Sequence, residues 1–163
     1  MSAKNKQVAN YINIKNKRAS FAYTFLDDYI AGMLLTGTEI KSIRASKVAF
    51  QEAYCYFSKK DLWIKGMHIA AYTHGNIYNH VEDRDRKLLL SRKELNKLIR
   101  NQEKGLTIIP TRLFINERGW AKLHIALAKG KKTYDKRQQI KEREVARDLQ
   151  KAYTQKTSLL VNN

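Results

Sequence analysis

Cysteine is nearly absent. Cys55 stands alone among 163 residues, so a disulfide framework is excluded and a reducing, cytoplasmic setting is the expectation. A lone thiol in the apolar run Tyr54 to Phe57 also reads as a buried small hydrophobe, not a nucleophile. No apolar run approaches membrane-spanning length, and the first twenty residues carry Lys4 and Lys6 without a hydrophobic stretch. Neither a membrane segment nor a signal peptide is therefore expected. There are no repeats and no low-complexity segments. Catalytic signatures are missing too: no G-x-S-x-G, no Walker loop and no Cys/His nucleophile pair occurs, which leaves no enzyme to expect. His68, His74 and His80 lie six residues apart, a spacing that matches neither a helical face nor a zinc-ligand pattern, so no metal and no cofactor are expected. Acidic charge is scarce, with 15 Asp and Glu against 32 Lys and Arg.

What is present is positive charge at the two ends. The net charge is +17, of which residues 1–18 contribute +5, residues 129–163 contribute +6, and the 110 residues between them only +6. Such a distribution points to a polyanionic partner, reached by both ends of one folded body. At 43% hydrophobic content, that body has enough apolar residues for one core.

Its walls are legible as strands. Trp120 to Leu127 alternates, with Ala121, Leu123, Ile125 and Leu127 on one face and Trp120, Lys122, His124 and Ala126 on the other. Phe21–Leu26 and Ile30–Leu35 read as two strands separated by Asp27 and Asp28. Ala53–Ser58 and Leu62–Ile69 form a hairpin around Lys59 and Lys60, and residues 106–115 pair with 120–127 around Gly119. Pro110, the only proline, belongs at an edge or bulge. Two helices are expected. One covers 38–45, with Thr38 as cap and Ile40 and Ile43 on one face; the other is announced by the capping box Ser91/Glu94 and stopped by Gly105. Residues 70–87 follow neither period and read as a long ordered loop in which Glu82, Asp83 and Asp85 bridge to Arg84 and Arg86.

The fold expected is mainly β: a small closed antiparallel OB-type barrel with two or three short helices. Residues 1–17 form a flexible basic arm, 18–131 the RNA-binding barrel and 132–163 a basic tail. In the tail, Ile140, Val145, Leu149 and Ala152 make a stripe too thin to hold a helix alone, so disorder until binding is expected. Lys41 and Arg44 on the short helix, Arg84, Arg86 and Lys87 after the loop, and Lys129, Lys131 and Lys132 after the last strand suit phosphate contact. Tyr72, Tyr78 and Tyr134 suit stacking on unpaired bases. Glu39, an acid in this basic set, either complements its helix dipole or accepts hydrogen bonds from base or sugar donors.

Five segments in this order, GTEIKSIR (37–44), GMHIAAYTHGN (66–76), NH at 79 and 80, RKLLLSRKELNKLI (86–99) and IALAKGKKTYDKR (125–137), resemble the SsrA-binding protein (small protein B) family over about residues 16–153. The resemblance implies a bacterial, non-enzymatic trans-translation factor acting as a monomer. Its OB-type barrel binds the tRNA-like domain of transfer-messenger RNA (tmRNA) and travels with elongation factor Tu and GTP to the A site of stalled 70S ribosomes. Its tail becomes helical in the empty mRNA channel. It further implies RNA binding by Asn16, Arg18, Glu39, Lys41, Arg44, Lys87, Lys129, Gly130, Lys131 and Lys132. Tyr134 falls near the decoding centre, Asp135, Lys136 and Arg137 serve accommodation, and Ile140, Lys141 and Glu142 start the tail helix. Ala71 departs from the family's usual proline, and the tail lacks a tryptophan often found there. The alternative reading is a structural ribosomal protein or a general OB-fold RNA-binding protein.

Overall fold

Alternation along the last strand shows how the wall is built. In the computed structural model, which describes residues 12–161 and, of 155–161, the helical backbone alone, Ala121, Leu123, Ile125 and Leu127 are all buried. They line the inside of a barrel, as period-two patterning requires. The chain runs β1 (Asn13–Lys15), α1 (Lys17–Ala22), β2 (Tyr23–Met33), α2 (Gly37–Arg44), β3 (Val48–Ser58), β4 (Asp61–Ile69), a 3-10 turn (Asn76–Tyr78), β5 (Arg86–Leu89), α3 (Arg92–Glu103), β6 (Thr107–Ile115), β7 (Ala121–Gly130) and α4 (Thr133–Val161).

All pairings are antiparallel, and β6–β3–β4–β5–β2–β7 closes on itself through β6 and β7. Closure removes the exposed edges of an open sheet. The expected small closed OB-type barrel is therefore what forms, with α1, α2 and α3 as its short helices. One continuous core fills it, including Ile64, Met67, Leu113 and Leu123, and Ile43 of α2 with Leu95 and Leu98 of α3 join that core. A second small cluster lies outside the barrel, where Ala19 of α1 covers Ile109 and Ala128.

Several local expectations hold. Lys59 and Lys60 both adopt positive φ (49° and 68°), which makes the two-residue turn that joins Ser58 to Asp61. Pro110 sits at a register shift between β6 and β7. Ser91 accepts from the Glu94 amide, Glu94 accepts the Ser91 amide at 2.9 Å, and Gly105 ends the segment at φ 81°.

Other expectations are corrected. Phe21 and Ala22 belong to α1, not to a strand, and Asp27 and Asp28 do not separate two strands. They lie within the single strand β2, at a bulge between Phe25 and Asp27, where an outward-facing pair of acids remains solvated. β3 begins at Val48, because a bulge between Phe50 and Tyr54 interrupts its alternation. Gly66 faces that bulge at φ 75°, and a Cβ there would stand 3.0 Å from the Glu52 carbonyl oxygen. The loop ends at 85, since Arg86 and Lys87 enter β5. Thr36, not Thr38, caps α2, with its amide donated to Glu39 Oε2 at 2.7 Å. The arm expected over 1–17 is packed from residue 12: Ile12 is buried, and β1 pairs with Arg112 to Phe114 of β6. Of that arm, residues 1–11 lie outside the described residues.

Candidate nucleic-acid interface

Two groups of basic side chains stand at opposite ends of β7. That ten-residue strand separates them by roughly 30 Å at the usual rise. The first group surrounds α2. Lys41 and Arg44, three apart, share the exposed face of this helix. Lys41 Nζ lies 5.2 Å from the Tyr72 ring centroid, a cation–π contact, and Arg44 Nη2 donates to the Gly119 carbonyl at 3.4 Å. One cationic helix face thus bridges the long loop and the β6–β7 turn.

Underneath lies the buried ion pair that holds this helix. Glu39 and Arg86 are both fully buried. Arg86 Nε donates to Glu39 Oε1 at 2.8 Å, and Arg84 reaches both carboxylate oxygens, at 2.8 and 2.6 Å. The rest of the Arg86 guanidinium is satisfied by the carbonyls of Met67, Arg84 and Glu82. Burial by itself would raise the Glu39 pKa; the bonds from Arg84, the Thr36 amide and Arg86 outweigh it and hold the carboxyl below its ordinary value. Two expectations are corrected here. Glu39 has no accessible surface and no free oxygen for an RNA donor, so any part it has in binding comes through fixing α2. Arg86 is likewise withdrawn from phosphate contact. The loop acids do not bridge to Arg84 and Arg86: Asp83 meets His68 Nδ1 of the barrel at 2.8 Å, Asp85 accepts from Tyr56 of the barrel at 2.7 Å, and Glu82 accepts the Ala71 amide within the loop at 2.8 Å.

The second group surrounds α1 and the end of β7. Asn16 is 8% exposed; its Oδ1 caps α1 at the Ala19 amide and its Nδ2 donates to the Pro110 carbonyl. It is corrected from an RNA contact to the residue that orients α1. Arg18 is open to solvent and meets Glu52 at 3.4 Å, a surface pair of little strength. Lys129 and Gly130 pair with Thr24 and Tyr23, and both are exposed, as is Lys132. Lys131 donates its Nζ to the Ser20 carbonyl at 3.0 Å and to Gln139 at 3.2 Å, clamping α1 to α4. Lys87 belongs to neither group: it pairs with Asp61 at 2.7 Å on the barrel wall.

The tail stripe lies on one continuous helix, α4, in place of the disorder expected before binding. Ile140, Val145, Leu149 and Tyr134 are all exposed, and among the described residues α4 meets the body chiefly through Lys131 and Arg143, the latter 5.4 Å from the Phe21 ring centroid. Asp135, Arg137, Lys141 and Glu142 face solvent, with Lys136 half-buried. Of the tyrosines expected to stack, Tyr78 is open and Tyr72 is half-buried beneath Lys41.

Each loop histidine has structural work. His80 bonds Thr38 Oγ1 and the Ile69 carbonyl, both at 2.9 Å, and His74 stands edge-on to Tyr72. Among the described residues no three His, Cys, Asp or Glu side chains converge to hold a metal ion. Burial raises the Cys55 thiol pKa far above its ordinary value. No described helix is long and apolar enough to cross a membrane.

The chain is similar to known proteins along most of its length. The family model described as SmpB protein matches residues 13–155. SsrA-binding proteins of Bacteroides thetaiotaomicron and Cytophaga hutchinsonii are each 56% identical, over 87% and 90% of this chain and 95% and 96% of their own. A solved chain from "tmRNA-SmpB: a journey to the center of the bacterial ribosome" superposes with a TM-score of 0.64 at 41% identity, covering 75% of this chain and 86% of that one.

Proposed function

The chain belongs to the SmpB family, and from that premise we propose that it is the RNA-binding adaptor of trans-translation. It binds the tRNA-like domain of tmRNA, enters the A site of stalled ribosomes with elongation factor Tu and GTP, and lays its basic tail in the empty mRNA channel. The protein works by binding, in the cytoplasm and as a monomer, with no chemistry of its own. Nascent chains are then tagged through the RNA.

The observation that carries this reading is the division into two basic groups, one at each end of β7, with a solvent-exposed basic helix projecting from one of them. A tRNA-like fold presents phosphates over a span much longer than one small patch, and contacts about 30 Å apart suit it. The tail has a different task. A channel lined by RNA is strongly anionic, so it attracts the eight Lys and Arg of residues 132–163, while a message already in place excludes them.

Fluorescence anisotropy at near-physiological salt, with the tRNA-like domain beside an ordinary alanine tRNA, tests the first step. A large preference for the former supports the reading; equal, steeply salt-sensitive binding to both overturns it. Deleting 135–163 tests the second step, with tmRNA binding retained and tagging abolished as the expected pair of results. Full tagging by the truncated protein would remove the tail from the mechanism.

A further inference from the structure

Trp120 is 68% exposed at the start of β7, and no role in the proposed function uses it. An indole in water is a standing loss of apolar burial, yet this one is held firmly. Its amide donates to Asn116 Oδ1 at 2.8 Å, its carbonyl accepts the Asn116 amide at 3.0 Å, and Gly119 makes the turn at φ 82° with its own amide on the Asn116 carbonyl. The ring therefore projects from a rigid two-strand corner, with little backbone freedom to lose on binding.

Its surroundings are cationic. Arg44 reaches across from α2 to the Gly119 carbonyl, Arg118 is exposed in the same turn, and Lys41 lies one helical turn from Arg44. Glu117, also exposed, is the acid of this corner. Three cations against one acid favour a polyanion over a protein surface of mixed charge, and a flat exposed ring in a cationic corner suits a base with its flanking phosphates.

We propose that Trp120 is a stacking platform for an unpaired nucleotide base of the bound RNA, with Arg44 and Arg118 taking the adjacent phosphates. This rests on the RNA-binding reading and adds to it a site that recognises a base extruded from the helical stack, at the α2 end of the barrel.

The tests are the variants W120A and W120F, with the tRNA-like domain of tmRNA as probe, and tryptophan emission in a W63F background, where Trp120 is the sole indole. W120A is expected to weaken binding roughly 5- to 150-fold, the usual range for one stacked base, with the slope of log affinity against log salt unchanged. W120F is expected to restore most of the loss, and emission of the W63F protein to be quenched as RNA saturates it. Wild-type affinity in W120A, or unquenched emission at saturation, overturns the proposal. The emission test uses an intact Trp120 and so does not depend on W120A folding. If the wild-type protein shows no preference for the tRNA-like domain, the broader reading fails instead, so the two failures are separable.

Discussion

Glu39 and Arg86 are worth more as a pair than either is alone. Removing the carboxylate leaves a buried guanidinium without its counter-charge, so Glu39→Ala is expected to lower stability by about 3 to 5 kcal/mol, read as a shift in urea midpoint. The sign of its pH dependence follows from the lowered pKa. The unfolded chain takes up the proton first, so the stabilisation is present above the ordinary glutamate range and is lost as pH falls through that range towards the folded-state value. Urea midpoints measured from pH 7 to pH 3 should fall in the wild type and fall less in Glu39→Gln; equal slopes would contradict the role given to the pair. Sequence alone does not reveal it. Arg84 and Arg86 lie 45 and 47 residues from Glu39, and the adjacent acids Glu82, Asp83 and Asp85 offer nearer partners that a reading along the chain prefers. Asn16 misleads in a similar way. With residues 21–26 read as a strand, no helix start calls for a cap at Asn16, and only its bond to the Ala19 amide and its 94-residue reach to Pro110 show one.

Elements were legible where local rules act alone. The Ser91/Glu94 box, the alternation of β7 and the Lys59–Lys60 hairpin each follow from neighbours in sequence. Bulges defeat the same rules, because one extra residue reverses the apparent face: the shifts at Phe25/Asp27 and Phe50/Tyr54 split one strand in two and shortened another. β1 is three residues long, too short for any period to register. Gly66 offers a test at this scale. Its positive φ and the nearby Glu52 carbonyl make Gly66→Ala destabilising by more than the roughly 1 kcal/mol lost when a side chain is forced into left-handed backbone, measurable by thermal unfolding. The tail helix tests the opposite case. Because its side chains along 133–154 are exposed except for the half-buried Lys136 and Gln139, deleting 135–163 should leave the barrel's unfolding free energy within about 0.5 kcal/mol, as for surface changes generally.

At the scale of the molecule, charge is the legible property and its geometry is not. The excess at the two chain termini was evident in the sequence, whereas closure of the barrel brings Arg18 of α1 and Lys129 to Lys132 together at one end of β7 and sets Lys41 and Arg44, from the middle of the chain, at the other. Lys132 is exposed beside the clamp made by Lys131, so Lys132→Ala should reduce the slope of log affinity against log salt by roughly 0.7 to 0.9 if it holds one phosphate. An unchanged slope would place it off the RNA.

Only Lys131 and Lys132 separate β7 from α4, and Lys131 is tied to both α1 and α4. With 29 residues, α4 extends about 43 Å at the rise of an α-helix. The barrel and tail then act as a lever with a stiff fulcrum, on which a tilt of about 10° at the barrel sweeps the far tip through roughly 7.5 Å. On the proposed function, how accurately the RNA seats the barrel would therefore determine whether the helix meets a narrow passage or its rim.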